Sequence, residues 1–155
     1  MNTYRKQKGF TLVEILIVVV ILGILAAIVI PQFSEASTEA RESSVKSNLQ
    51  MLRSQIELYK VQHNGSWPDA TTGTTFATAL TSATDADGTV SATGAYGPYM
   101  VSVPNNVLCG TEANANVITI KTDTGAPSAS TSQGWVWNSY DHKIYCPSSS
   151  DSLGW

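Results

Sequence analysis

Charged side chains are scarce in this sequence. They account for 14% of its 155 residues, and the formal net charge is −3. The basic residues ahead of position 10 contribute three positive charges, so residues 10–155 carry −6. A protein that binds nucleic acid needs a basic surface to neutralise phosphates, and this chain has none. We therefore expect no direct contact with nucleic acid.

Patterns for catalysis and metal binding are also missing. No serine stands in a nucleophile-elbow motif or beside a partnered base. The two histidines, His63 and His142, lack metal-ligand spacing relative to the two cysteines. We expect no enzyme activity, no metal and no cofactor, and we expect both histidines in surface or loop positions.

A long apolar run occupies much of the N-terminal third. From Phe10 to Ile30 only Thr11, Glu14 and Gly23 are not strongly apolar. As a helix, this run would be roughly 30 Å long, enough to cross the hydrocarbon core of a bilayer. Basic residues precede the run and mainly acidic ones follow it, which places the N-terminus in the cytoplasm. We expect one membrane span.

An ordinary secretory signal peptide is the alternative interpretation of the run. Such a peptide has a shorter apolar core followed by a small-x-small cleavage site. The run here is long, and the residues from Ala26 onward offer no good site of that kind. The pattern therefore favours a retained span.

A second helical pattern follows Pro31, with apolar residues at spacings of four, three, four and three. The stripe comprises Val45, Leu49, Leu52, Ile56 and Tyr59. No glycine or proline interrupts residues 32–62, and His63-Asn64-Gly65 predicts the helix end. A continuous helix over residues 10–62 would be about 80 Å long. Gly23 and Pro31 should bracket a stretch that bends or melts more easily than its flanks.

Short elements are predicted beyond residue 66. A helix is expected at 74–83, and strand-like segments at 99–103, 116–122 and 135–140, with 143–146 as a hairpin partner. One long helix followed by short strands favours an α+β fold with an antiparallel sheet packed on the helix. Trp135 and Trp137 share one strand face and should cover the helix stripe.

Only two cysteines are present, Cys109 and Cys146. Both follow the span, in a compartment where a disulfide can form and persist. A bridge would enclose 38 residues. It would stabilise the fold by about 4 kcal/mol in the chain-entropy treatment. Two separate buried thiols are the alternative.

Glu14 is the unusual residue of the apolar run. The Glu14 side chain could extend to the lipid headgroups, but this would not explain why the charge lies inside the apolar run, after Phe10, and not among the preceding lysines. An acidic group inside a span costs about 2.5–3.5 kcal/mol at the bilayer centre, and by default it indicates function. Cleavage between Gly9 and Phe10 would create an α-amino group one helical turn from Glu14.

The segment KGFTLVE (residues 8–14), followed by its apolar helix, closely resembles the class III signal of type IV pilins and type II secretion pseudopilins. The resemblance implies that a prepilin peptidase cleaves after Gly9 on the cytoplasmic side and N-methylates Phe10. It implies that Glu14 pairs with the N-terminus of a neighbouring subunit. It also implies that the stretch from Gly23 to Pro31 can lose helix within a filament.

Later segments are similar to major pseudopilins, namely residues 58–68, 97–104 and 134–137. The acidic, glycine-rich calcium loop of that subgroup has no match, since Asp141 and Asp151 alone do not make one. The two cysteines instead resemble the disulfide loop of type IV pilins. The resemblance favours a major pseudopilin. The alternatives are an extracellular type IV pilin for adhesion, motility or DNA uptake and, less favoured, a membrane-anchored domain that never assembles.

The resemblance also implies a location and partners. We expect a cleaved cytoplasmic leader (1–9), a transmembrane and assembly helix (10–30), its amphipathic continuation (31–64) and a periplasmic globular domain with a β-sheet (65–155). The protein would lie in the bacterial cytoplasmic membrane and assemble with copies of itself. Further implied partners are minor pilins or pseudopilins and an inner-membrane assembly platform with a cytoplasmic ATPase.

Overall fold

The computed structural model describes residues 9–68 and 73–155. Its helices are α1 (Leu12–Gln62) and α2 (Gly73–Thr81), and its strands are β1 (Ile118–Lys121), β2 (Trp135–Asn138) and β3 (Lys143–Tyr145). Single 3₁₀ turns occur at Glu112–Asn114 and Ser152–Gly154. The chain divides into two compact units, one ending at Ala40 and the other comprising Arg41–Trp155. The predicted leader, apart from its last residue, lies outside the described residues.

The predicted apolar stripe on α1 lies in the core of the second unit. Its five side chains are Val45, Leu49, Leu52, Ile56 and Tyr59, and all are buried. They form one cluster with Phe76 and Leu80 of α2 and with Trp135 and Trp137 of β2. Because four-and-three spacing puts the stripe on one helix face, a single surface of α1 receives both α2 and the sheet. The prediction that the two tryptophans join this stripe is confirmed.

The end of α1 follows the predicted stop signal. Asn64 and Gly65 both have positive φ, 54° and 86°. This left-handed turn lets the Gly65 N–H donate to the carbonyl of Lys60 (2.8 Å), which is the six-to-one bond of a Schellman motif. The helix ends at Gln62, as the sequence predicted.

The sheet has the strand order β1-β2-β3 and is mixed. β2 and β3 form the predicted antiparallel hairpin, with Asn138 opposite Lys143. β1 pairs with β2 in parallel, with Ile118 opposite Trp135. The α+β class is confirmed, but the expectation of an antiparallel sheet is wrong for this pair. A parallel pair requires a connection that returns the chain to the end of the sheet where the first strand began. Residues 122–134 are long enough to do this.

The predicted strand at 99–103 is also wrong. This segment is irregular, and the backbone N–H groups of Tyr99 and Met100 both donate to the carbonyl of Leu80 at the end of α2. Val101 is 98% exposed, so the segment does not present one apolar face to the core. The N–H groups of Tyr99 and Met100 are therefore satisfied by a helix end.

His63 lies in the turn that follows α1, but it is buried and not on the surface. It is 1% exposed, and its ring stacks on Tyr59 with the centroids 3.8 Å apart. Nδ1 lies 2.8 Å from the Tyr59 carbonyl oxygen, and Nε2 lies 3.0 Å from the Thr84 hydroxyl. Because a carbonyl only accepts, Nδ1 carries a proton, and in the neutral ring Nε2 accepts from the Thr84 hydroxyl. His142 is exposed in the β2–β3 turn, as expected.

Asn138, buried at the end of β2, holds the long connection between β1 and β2. Its Nδ2 donates to the carbonyls of Gly125 (2.8 Å) and Asp123 (3.2 Å). Its Oδ1 accepts from the Tyr140 N–H (2.9 Å). One buried side-chain amide therefore pairs with backbone groups of both the β1–β2 connection and the β2–β3 turn.

Candidate assembly and processing site

The first turn of α1 contains a reciprocal cap between Thr11 and Glu14. The Thr11 N–H donates to the Glu14 carboxylate (N to Oε2, 3.4 Å), and the Glu14 N–H donates to the Thr11 hydroxyl (3.2 Å). The Ile15 N–H then donates to the Thr11 carbonyl (3.3 Å), which opens the regular helical ladder. This arrangement is a capping box, and it satisfies two backbone donors that a helix start otherwise leaves unpaired.

The capping box gives Glu14 a role within its own chain. A carboxylate in the first turn also lies near the positive end of the helix dipole, which is an electrostatically favourable position. The capping role was not among the predictions, although its signal is present in the sequence as Thr-x-x-Glu at residues 11–14. Pairing between Glu14 and a neighbouring subunit stays a prediction.

The predicted cleavage point lies immediately before the helix. Gly9 and Phe10 precede α1 and are exposed, and a side chain added at Gly9 would meet no atom within 4 Å. Phe10 is 79% exposed. The bond between these two residues is therefore outside regular helical structure and open to approach, while the predicted pairing residue Glu14 lies one turn further on.

The N-terminal part of α1 presents apolar side chains on all sides. Between Phe10 and Phe33 its large apolar residues are exposed in the described part of the chain. α1 contains a stretch long and apolar enough to cross a membrane, by length and composition. A helix that is apolar all round requires burial in lipid or against other helices.

Gly23 and Pro31 lie within α1, which is helical at both positions. A side chain at Gly23 would meet no atom within 4 Å, so no close packing requires glycine there. Pro31 removes one backbone hydrogen bond from the helix interior. The predicted loss of helix between these residues stays a prediction.

Cys109 and Cys146 lie on neighbouring segments as free thiols. Cys146 is buried, whereas Cys109 is half-buried and its Sγ donates to the carbonyl of Thr131 (3.3 Å). Both segments contact Asn106, which accepts the Cys109 N–H on its carbonyl (3.0 Å) and directs Nδ2 at the Cys146 sulfur (3.4 Å). The predicted disulfide stays a prediction.

Asp141 acts locally in the β2–β3 turn. Its Oδ1 accepts the Lys143 N–H (3.1 Å), and its Oδ2 accepts the Tyr145 hydroxyl. Burial and the Asp141 carboxylate raise the pKa of Tyr145 to about 12. Within the described ranges, no group of three or more His, Cys, Asp or Glu side chains is placed to hold a metal ion.

Both a sequence motif and individual known proteins match this chain. The prokaryotic N-terminal methylation motif matches residues 4–30. The type II secretion system core protein G of Pseudomonas aeruginosa is 41% identical over 69 residues, covering 44% of this chain and 48% of that protein. Its counterpart in Dickeya chrysanthemi is 40% identical over 60 residues, 39% of each chain. No solved structure gives a significant match.

A fimbrial protein of Neisseria meningitidis serogroup A is 34% identical over 119 residues, covering 76% of this chain and 61% of that protein. The chain thus spans between 39% and 61% of the length of these three relatives. The methylation motif, the relatives and the long helix packed on a small sheet together make the chain similar to type IV pilins and type II secretion pseudopilins.

Proposed function

We propose that this protein is a structural subunit of a type IV pilus-like helical filament, and specifically a major pseudopilin of a type II secretion system. The observation that carries the proposal is the match of about 40% identity to core protein G of several bacteria. The unpartnered apolar surface of the N-terminal part of α1 supports assembly, because such a surface requires lipid or other helices around it. The role is structural and not enzymatic.

Processing prepares the subunit for assembly. The prepilin peptidase cleaves between Gly9 and Phe10 and methylates the new α-amino group of Phe10. This secondary amine is cationic at neutral pH, so cleavage places a positive charge at the start of an otherwise apolar segment. Residues 1–9 are the discarded leader, and residues 10–30 hold the subunit in the cytoplasmic membrane until it docks.

Docking exchanges the partner of Glu14. Before assembly, the carboxylate accepts the Thr11 N–H within its own chain. In the filament, the cationic amine of a neighbour's Phe10 approaches the same carboxylate, and the pairing relieves an intramembrane charge. Because one amine meets one carboxylate per subunit, the pair sets the axial register between neighbours.

The remaining segments and partners follow from this role. Residues 31–64 comprise the continuation of the helix to Gln62 and the turn that ends it, and residues 65–155 form the periplasmic domain. The subunit assembles with copies of itself and with minor pseudopilins on an inner-membrane platform driven by a cytoplasmic ATPase. Gly23 and Pro31 mark the part of the helix that changes conformation on assembly.

A subunit of an extracellular type IV pilus is the second candidate. The fimbrial protein of Neisseria meningitidis favours it, because that match extends over 76% of this chain, well beyond the N-terminal helix. The matches to core protein G cover less of the chain, but they recur in several bacteria. The two candidates share processing and docking chemistry and differ in what the filament does.

Gene deletion separates them. Removing the gene should leave folded exoproteins trapped in the periplasm while surface fibres and twitching persist. A plasmid copy should restore secretion, and a copy lacking residues 1–9 with an added methionine should not. Normal secretion together with loss of pili and twitching would establish the extracellular pilus instead.

A further inference from the structure

The charges on one side of α1 change sign along the helix. Three glutamates recur at spacings of four and three, and three basic residues follow them at spacings of four, seven and seven. The acidic set is Glu35, Glu39 and Glu42, and the basic set is Lys46, Arg53 and Lys60. α1 is helical at all of these positions, and such spacings return each side chain to the same side of a helix. One helix face is therefore acidic at 35–42 and basic at 46–60.

Glu42 and Lys46 lie one helical turn apart on this face, yet they do not pair with each other. The Lys46 ammonium instead lies 4.4 Å from the centre of the Trp155 ring, a cation–π contact. Within residues 9–68 and 73–155, neither side chain forms an ion pair. Lys46 is exposed and Glu42 is half-buried. Both charges therefore stay available to a group outside the chain.

The other basic side chains of the face are already engaged. The Lys60 ammonium lies 3.8 Å from Oε2 of Glu57 and 3.9 Å from the centre of the Trp67 ring. Arg53 donates hydrogen bonds to two backbone carbonyls (3.2 and 2.6 Å). Lys46 is thus the cation of this face that is most open to a carboxylate of another molecule.

A face of this kind is complementary to a shifted copy of itself. Two parallel helices that meet through it without an axial shift place each charge beside its own kind, which is repulsive. A shift of four residues, about 6 Å along the axis, brings Glu42 of one copy level with Lys46 of the next. Phe10 and Glu14, the proposed docking pair, are also four residues apart. One displacement, in one direction, therefore serves both charge pairs.

The other charges of the face add to the preference for this shift. The four-residue displacement brings Arg53 of one copy level with Glu57 of the next, a second pair of opposite charges. It brings Glu35 level with Glu39, a pair of like charges. Opposite pairs outnumber like pairs in the shifted arrangement, whereas the unshifted arrangement contains like pairs alone.

We propose that Glu42 of one subunit pairs with Lys46 of the next, so that this face of α1 is an interface with a second copy of the chain. The inference rests on the proposed function, because it requires parallel copies whose N-termini lie in one membrane. A second copy fits this face because it carries both charges at the required spacing. The contact is head-to-tail, since one copy supplies the carboxylate and the other the ammonium, and such contacts extend a filament without closing it.

Charge exchange in the full processed chain tests the pair, with filament yield alongside the native assembly machinery as the measure. Glu42→Lys and Lys46→Glu should each lower the yield, because each puts like charges together at every interface. An exposed ion pair contributes up to about fivefold in affinity. The double variant should recover the yield. A loss caused by the missing contact of Lys46 with Trp155 would persist in the double variant, which also lacks that contact.

The matched control changes the same charge away from α1. Glu112→Lys alters an exposed glutamate on a 3₁₀ turn and should assemble as the parent does. Unchanged yield from the single variants at Glu42 and Lys46, or a loss that the double variant does not recover, would overturn the pairing while filament assembly stands. A parent chain that formed no filaments would overturn the proposed function together with the pairing.

Cysteine cross-linking tests the axial shift directly. Glu42→Cys and Lys46→Cys are placed on separate copies that assemble together, and oxidation of the filaments should join them into a dimer. Copies that all carry Glu42→Cys should not cross-link, because the shift keeps equal positions beyond the roughly 7 Å limit between Cα atoms. The parent, with Cys109 and Cys146, gives the background. No dimer above that background from the mixed copies, or equal cross-linking from Glu42→Cys alone, would refute the shifted contact.

Discussion

The capping role of Glu14 and its proposed role as a docking charge can be separated by two substitutions. Glu14→Gln keeps a side-chain oxygen that can accept the Thr11 N–H, since glutamine serves at this position of a capping box, but it removes the charge. Thr11→Ala removes the hydroxyl that accepts the Glu14 N–H and keeps the charge. Glu14→Ala removes both functions.

The expected magnitudes differ enough to decide between the roles. Loss of a cap side chain costs about 1 kcal/mol of helix stability. An uncompensated carboxylate inside a bilayer costs up to about 2.5–3.5 kcal/mol, and pairing with a neighbour's amine recovers part of this on docking. A docking contribution of about 2.5 kcal/mol corresponds to roughly 60-fold in affinity between subunits, whereas about 1 kcal/mol corresponds to roughly fivefold.

Filament yield alongside the native assembly machinery is the assay, with resistance to alkaline extraction as the measure of membrane insertion. Glu14→Gln and Glu14→Ala should insert as well as the parent or better, because each removes an intramembrane charge, and both should fail to assemble. Thr11→Ala should assemble at a reduced but measurable yield. Normal filament yield from Glu14→Gln would refute charge pairing as the basis of docking. If Thr11→Ala reduced filament yield as much as Glu14→Gln does, the defect would lie in the cap and not in the charge.

Two further predictions concern processing and pH. Intact-mass measurement of protein purified from native membranes should show loss of residues 1–9 and one added methyl group on Phe10, and a mature chain that still carried Gly9 would contradict the proposed processing. The pKa of Tyr145 is raised from 10.0 to about 12 in the folded state, so the unfolded chain loses this proton first and stability should fall as pH rises from 10 to about 12. Tyr145→Phe should reduce that fall in denaturant titrations, while Tyr140→Phe, at an exposed position, should not. An identical fall in the Tyr145 variant would show that other groups cause it.

The parts of the fold that the sequence predicts are those decided by local pattern. The stripe on α1, the stop at Asn64 and Gly65 and the β2–β3 hairpin each depend on residues close together in the chain. The spacing of apolar residues along a helix identifies its buried face before any tertiary contact is known. Turn residues likewise decide where a helix or hairpin ends, because only certain backbone angles suit them.

The parts that the sequence does not predict depend on contacts distant in the chain. The parallel partner of β1 is fixed by the path of residues 122–134, which carries no periodic signal. His63 is buried because Thr84, a residue 21 positions later, supplies the partner of its second nitrogen. The capping role of Glu14 is a different case, since its motif is local and could have been read directly from the sequence.

The serine-rich tract at 128–132 belongs to the connection between β1 and β2, and parallel pairing gives that connection a minimum length. A parallel crossover needs a dozen or more residues, and residues 122–134 are close to that limit. Shortening the loop would pull β1 out of register, whereas lengthening it adds only a logarithmic entropy cost. The tract is also held along its path, because the Thr131 carbonyl accepts the Gly110 N–H (2.6 Å) and the Ser132 carbonyl accepts Nδ2 of Asn114 (2.9 Å). A deletion within it would therefore disturb these contacts as well as the register of β1.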